Sequence, residues 1–357
     1  MTSMLRKAIF SFLIIIITIG LIFPLTGLAQ DDHVGYSVQA HLPDNQLNDR
    51  HTYFDLKMEP EQKQQLSVVI YNNEKEDITV RTAVHNASTN SNGLVVYEER
   101  EELDPSLEVP LTDILTLEED EVVVPAGKSK TVTGDLEMPE EEYDGIILGG
   151  FHFEKVMDEE ESAEGVNLEN KYSYVIGVQL TENDNEVLPE LHLNSIKPEL
   201  VNHRTAVVAA LQNSAPILVE DLTISAKVFK KGEKEPLKEK KQEQINMAPN
   251  STMNFTIDWE NKALDPGDYI LKMKATDQSE TWEWEESFVI EKDDATALNK
   301  DAVELDDDKV NKWIVAGIVI LIIIIAALLF YIWKLKRQQD NKEEIDDNDN
   351  IKREERA

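Results

Sequence analysis

Cysteine is absent from all 357 residues, which excludes disulfides, thiolate metal sites and a thiol nucleophile. Whatever folds here must be held by packed apolar surface alone, and so in domains of ordinary size. Positive charge is scarce: 35 Lys and Arg stand against 70 Asp and Glu, a net charge of -35. Such a body repels phosphate backbones and anionic lipid, so nucleic acid is not an expected partner. Catalytic spacings are missing too. The seven histidines run from His33 to His203 with none four residues from another, so no H-E-x-x-H zinc helix exists. There is no G-x-S-x-G elbow and no phosphate-cradling glycine loop. The acidic clusters "TENDNE" and "DDNDN" lack EF-hand spacing. The expectation is a chain that is not an enzyme and carries no cofactor and no metal. The alternative is a glycan hydrolase using carboxylates near Glu98 to Glu102 in "YEEREELD", although acidic pairs are so abundant that no one pair stands out.

Two apolar runs stand out. "MTSMLRKAIFSFLIIIITIGLIFPLTGLAQ" places Arg6 and Lys7 before an apolar stretch, with Gly27 and Ala29 ahead of a cut at Gln30, and reads as a secretory signal over 1–29. An uncleaved N-terminal anchor is the other reading of that run. "WIVAGIVILIIIIAALLFYIW", Trp313 to Trp333, would reach roughly 31 Å as a helix, enough for a transmembrane span. Trp313, Tyr331 and Trp333 fit interface anchors, and Lys334, Lys336 and Arg337 place the tail 334–357 in the cytoplasm. The expected localisation is a single-pass membrane protein with residues 30–312 outside.

Between the runs the pattern is of strands. Phe54, Leu56 and Met58 alternate with polar residues, as do Leu66, Val68 and Ile70, Leu222 to Val228, Phe255 to Trp259, and Tyr269 to Ala275. No comparable amphipathic helix appears among them. The segments "VPAGKSKTVTGDLEMPEEEYDGIILGGFHFE" and "MAPNSTMNFTIDWENKALDPGDYILKMKATD" align feature by feature, and upstream each has a strand that ends at Asn, a loop and a second strand. The expected fold is all-β: two tandem immunoglobulin-like β-sandwiches plus one C-terminal transmembrane helix. The sandwiches fall at 30–186 and 187–293, followed by an acidic stalk at 294–312. Tyr143 and Tyr269 fall where such a sandwich keeps a structural tyrosine corner, the hydroxyl bonded back to the preceding loop.

Charge-rich segments read as solvated loops: "DEEESAEG", the basic "KKGEKEPLKEKKQEQ" and the stalk itself. The loop "HNASTNSNGLVVY" crowds Asn86, Thr89, Asn90 and Asn92 before Gly93. Those groups are candidate binding residues for sugars or peptides, and equally the material of Asx turns within the loop. Asn-x-Ser/Thr triplets at Asn86, Asn250 and Asn254 are assigned no function.

Taken together, "YFDLKMEPEQKQQLSVVIYN", "ASTNSNGLVVY", "MPEEEYDGIILGGFHF" and "MAPNS" with "LDPGDY" resemble the WxL-interacting proteins of Gram-positive bacteria over nearly the whole chain. The resemblance implies an N-terminal peptidoglycan-binding domain, a second, host-binding domain, and partnership with cell-surface proteins that carry a WxL domain. Peptidoglycan and host extracellular matrix are then expected ligands of a non-enzymatic surface adaptor. The family boundary would fall near 156–165, giving the strand Lys171 to Glu182 to the second domain, whereas the repeat gives it to the first. Where the family tends to show Pro-Gly, this chain has Pro60-Glu61, so that turn is expected to differ in shape. Gln62 and Gln64 beside it are further candidate binding residues.

Overall fold

The computed structural model describes residues 34–156, 172–303, 305, 317–331 and 333–334. Alternation decides where the strands run. In β3 (Lys63–Asn72), Leu66, Val68 and Ile70 are fully buried and the residues between them are not. The first sandwich packs a four-stranded sheet, ordered β1 (Tyr36–His41), β3, β9 (Ser129–Glu137), β7 (Leu115–Leu117), on a five-stranded one. The five are β2 (Phe54–Lys57), β11 (Ser173–Thr181), β10 (Ile147–Lys155), β4 (Ile78–Asn86) and β8 (Glu121–Val124). β2 runs parallel to β11, while β11, β10, β4 and β8 pair antiparallel. Phe54, Phe151 and Phe153 meet in the core with ring centroids 5.8 and 6.3 Å apart. A one-turn helix, α1 (Leu111–Ile114), plugs one end with Leu111.

The second sandwich packs β12 (Leu191–Val201), β13 (Arg204–Asn213) and β16 (Ser251–Asp258) on a second sheet. That sheet is ordered β15 (Lys238–Met247), β14 (Val219–Lys230), β17 (Gly267–Thr276), β18 (Thr281–Ile290). Trp259, Tyr269 and Phe288 form its aromatic centre. The strand order repeats that of the first: β13 lies beside β16 as β3 beside β9, and β14-β17-β18 follow as β4-β10-β11 do. The asparagines that end β3 and β13 do the same work. Asn72 donates to the carbonyls of Glu76 and Val124 and accepts from the Glu74 amide; Asn213 donates to those of Ile217 and Ala248 and accepts from the Ala215 amide. Each satisfies a buried loop that would otherwise carry orphaned backbone groups.

Several expectations need correction. The all-β pair of immunoglobulin-like sandwiches with a transmembrane helix does not stand as stated: the chain is mostly strand but carries helices, and no helix among the described residues is long and apolar enough to cross a membrane. Of the run Trp313 to Trp333, residues 317–331 and 333 are described, and they are helical. The supposed stalk begins instead as a helix, α2 (Lys292–Asp301), docked on the second sandwich. Ala295 and Leu298, three residues apart on one face, pack against its core, and Asn299 exchanges two hydrogen bonds with the backbone of Leu264. Asp293 and Asp294 in the first turn and Lys300 in the last suit the helix dipole. The signal at 1–29 and the loop 158–165 lie outside the described residues, as does the tail beyond residue 334.

Candidate functional site

The polar loop after His85 folds into a hairpin, β5 (Ser88–Thr89) paired with β6 (Val95–Val96), whose tip rests on the second sandwich. Asn90 builds the tip, its Oδ1 accepting the amides of Asn92 and Leu94. Gly93 lies so close to β15 that a Cβ there would sit 2.7 Å from Ile245 Cγ1. Its carbonyl accepts the Asn246 amide at 2.8 Å, and the carbonyl of Asn92 accepts Gln242 Nε2 at 2.7 Å. Thr89 is buried against the start of β16: its hydroxyl accepts the Ala248 amide at 2.9 Å and lies 2.6 Å from Ser251 Oγ.

Three further contacts lock the two sandwiches together. Gly145, at φ +87, passes within 2.3 Å (measured from a built Cβ) of the Pro216 carbonyl, which accepts the Ile146 amide at 2.7 Å. Asn250 donates to the carbonyls of Ser106 and Ser214, both at 2.8 Å, and accepts the Tyr143 hydroxyl at 3.4 Å. Asp104 accepts Thr252 Oγ1 at 2.6 Å and Gln212 Nε2 at 2.5 Å from the second sandwich, and Ser106 Oγ at 2.7 Å from its own turn. Burial pushes the Asp104 carboxyl up, but the bonds from Thr252, Ser106 and Gln212 outweigh it and hold the group below its ordinary value. Glu182, at the end of β11, accepts the Tyr143 amide on one oxygen and buries the other without a partner; burial raises its pKa.

Beyond Val96 the two arms of the hairpin part. A cleft of about 750 Å³ opens between β4 and the acidic segment from Glu98, closed at one end by the start of β16. His85, Asn86 and Ser88 line one wall, and Glu98, Arg100 and Glu102 the other. Arg100 Nε donates to Ser88 Oγ at 3.2 Å across it. On the outer face of the sheet, His85 meets His152 with ring centroids 5.2 Å apart. Burial, and then each other's proximity, pushes the His85 imidazole below its ordinary value, against the pull of Glu99 and Glu98. Burial does the same to His152. Tyr97 reaches over the sheet to Gly177, where burial raises its phenol.

The structure divides the candidate residues between two places. Asn86, Thr89, Asn90 and Asn92 fall together in the hairpin, but their side chains or carbonyls serve the fold and the junction; Asn86, for one, exchanges bonds with Thr112. Gln62 and Gln64 lie on the other sheet, in a chain of amides in which Gln62 donates to Gln64 and Gln64 to Asn45. Gln64 also borders a hollow of about 530 Å³ beside β7. The neighbouring turn holds Glu61 at φ +57, so it keeps the left-handed backbone where glycine would be at ease instead of changing away from it. Tyr269 donates to the Asp265 carbonyl at 2.7 Å, the corner geometry, whereas Tyr143 turns its hydroxyl to Asn250 of the other sandwich, and burial raises it to about 12. No spacing in the sequence marks Asp104, Asn250 and Thr252 as a junction; the Asp104-Pro105-Ser106 turn is a local signal for Asp104 alone. In the basic hairpin Lys231 pairs with Asp268, Lys238 with Glu260 and Lys241 with Glu243, while its Glu239 takes Lys227 of the neighbouring strand.

Residues 36–155 match the family profile described as WxL Interacting Protein, peptidoglycan binding domain, and residues 163–300 match WxL Interacting Protein, host binding domain. The chain belongs to the WxL-interacting protein family. The host-binding profile starts ahead of β11, a strand the structure pairs with β10 and β2 of the first sandwich. No curated protein matches. Solved structures similar to this WxL-interacting chain include the Escherichia coli chaperone DraB, at 11% identity and TM-score 0.27, covering 72% of this chain and 98% of that one. Another is the CsuC-CsuE chaperone-tip adhesion subunit pre-assembly complex of Acinetobacter baumannii, at 11% identity and TM-score 0.30, covering 62% and 89%. A third is a PapD-like domain of human CEP192, at 9% identity and TM-score 0.27, covering 46% and 99%.

Proposed function

We propose that this chain is a non-enzymatic adaptor acting outside the cell, whose first sandwich binds peptidoglycan, whose second binds host matrix, and which holds WxL-domain proteins. The observation that carries the reading is the match, in chain order, to a peptidoglycan-binding and a host-binding domain. With a net charge of -35, long-range attraction to an anionic wall is absent, so contact with the wall depends on short-range hydrogen bonds or bridging cations. The junction supports a two-ended role because it fixes the distance between the two binding bodies. The alternative of a glycan hydrolase draws no support from the cleft. Glu98, Glu99, Glu101 and Glu102 are all exposed, whereas a general acid is kept protonated by burial.

The test is retention. Purified protein is mixed with sacculi, with a WxL-domain protein and with immobilised matrix protein. Co-sedimentation or capture is expected in each case, without release of reducing sugar. Failure to retain any WxL-domain protein, or turnover of the sacculi, sinks the reading.

A further inference from the structure

Three observations meet in the cleft. The first is an open strand edge. β8 pairs with β4 only from Ile78 to Arg81, and the last bond on that side runs from the Thr82 amide to the Asp120 carbonyl at 2.7 Å. Backbone groups of successive strand residues point to opposite edges, so Val84 and Asn86 turn their amides and carbonyls the same way as Thr82. No strand continues the ladder beside Ala83 to Ala87 among the described residues.

The second observation is that the natural candidate to close this edge has moved off it. The hairpin register pairs Ser88 with Val96 and Thr89 with Val95; continued, it would set Ala87 opposite Tyr97 and Asn86 opposite Glu98. No pairing is made there. Tyr97 swings over the sheet to Gly177, and the next five residues carry four carboxylates with one arginine between them. A run this densely charged keeps its side chains in solvent, and Pro105 downstream lacks the amide a strand would use. The third observation is the charge of the gap. Its outer wall carries Glu98, Glu99, Glu101 and Glu102 against Arg100 alone, and Arg100 is engaged with Ser88.

We infer that this cleft accepts an extended basic peptide segment of a protein partner, which adds as a strand to the open edge of β4 between the parted arms of the hairpin. Main-chain bonds to Val84 and Asn86 supply register, and lysine or arginine side chains at alternate positions answer the glutamates. Five residues of edge, Ala83 to Ala87, are about 17 Å long and take a peptide of about five residues, with room for overhang at either end. The slot is bounded at one end by Thr252, so the occupant touches both sandwiches and is sensitive to the junction. The inference rests on the reading of this chain as a protein-binding molecule, but not on which protein it holds.

Amide hydrogen exchange on the whole protein tests it. In the free state the Val84 and Asn86 amides exchange faster than those of Ala83 and His85, which face β10. Added acetyl-Lys-Thr-Lys-Thr-Lys-Thr-Lys-amide slows Val84 and Asn86 at least tenfold, and the same peptide with Glu for Lys does not. The fourfold variant Glu98→Gln, Glu99→Gln, Glu101→Gln, Glu102→Gln, all at exposed positions, weakens the lysine peptide tenfold or more. Protection elsewhere, equal protection by the glutamate peptide, or protection by a muramyl fragment alone overturns the inference. If a WxL-domain protein is retained equally by the parent and the fourfold variant while the peptide gives no protection, the inference falls and the adaptor reading stands.

Discussion

Tyr143 and Tyr269 sit at matching points of the internal repeat, yet one hydroxyl returns to its own loop and the other crosses to a neighbouring body. The same contrast runs through the two halves. In the second sandwich the strands are long: β17 and β18 stay in register from Gly267 opposite Ile290 to Thr276 opposite Thr281, and β12–β13 and β14–β15 run on through their register shifts near Leu193 and Leu222. In the first, β7 and β8 are short, β2 runs parallel to β11, and residues 88–110 leave the sheets to form the hairpin, the cleft and the junction. Regular ladders satisfy the backbone locally and leave little over. Where the ladder is cut short, side chains such as Asp104 and Asn250 take up the unmet groups, and the cut becomes a joint between bodies. The first half therefore holds the specialised surface, and the second half acts as its anvil.

The strongest way to break this contrast is to attack the joint and a matched loop outside it. Gly145 and Gly232 both hold positive φ, but only Gly145 has a neighbouring backbone in the way. Valine at either position adds about 1–2 kcal/mol of backbone strain; at 145 it must also displace Pro216. Gly145→Val is expected to split one calorimetric transition into two, whereas Gly232→Val lowers the midpoint and leaves a single transition. Two equal, unsplit shifts would mean that the halves already unfold independently.

A milder probe is acid. The Asp104 carboxyl is held below its ordinary value in the folded state, so its contribution is fully present above the unfolded pKa and is lost as pH falls through the folded one. The distance between spin labels on the two sandwiches should stay fixed near pH 7 and broaden as the pH falls below the ordinary carboxylate range. Asp104→Asn removes that acid step and costs about 1–3 kcal/mol at neutral pH. A variant that still broadens over the same pH range would assign the step to another group.

The smallest effect belongs to the outer face of the second sandwich. Lys272 pairs with Glu285 at 3.0 Å and lies over the Phe229 ring at 5.7 Å, but both charges of the pair are more than half exposed. Lys272→Ala is expected to cost at most about 1 kcal/mol by urea denaturation, with no change in cleft or junction. A larger loss would show that the second half depends on its surface more than its ladders suggest.

Much of the strand pattern could be read from the sequence because its cause is local. Leu222, Ile224, Ala226 and Val228 alternate, and all are fully buried; the asparagines that close β3 and β13 were visible as the ends of paired strands. For the run Trp313 to Trp333 hydropathy states how apolar a segment is and not which helix it forms, and no helix among the described residues is long and apolar enough to cross a membrane. α2 was hidden because only Ala295 and Leu298 are apolar on its buried face, amid acids that read as solvated chain. The role of the polar loop was ambiguous for a different reason. Asn86, Thr89, Asn90 and Asn92 have the same chemistry whether they meet a sugar, their own backbone or another domain, and only long-range placement of Ser251 and Gln242 decided it. In the sequence Asn250 stands out only as part of an Asn-x-Ser/Thr triplet with no function assigned, although it is almost wholly buried at the joint.

The docking of α2 has a mechanical consequence. Tension applied from beyond residue 303 meets the Val303 amide on the His203 carbonyl first, then the paired bonds of Asn299 with Leu264, and only afterwards the edge strand β18. The order of those bonds along the chain makes α2 the element that yields first, with the ladders of the sandwich behind it still closed.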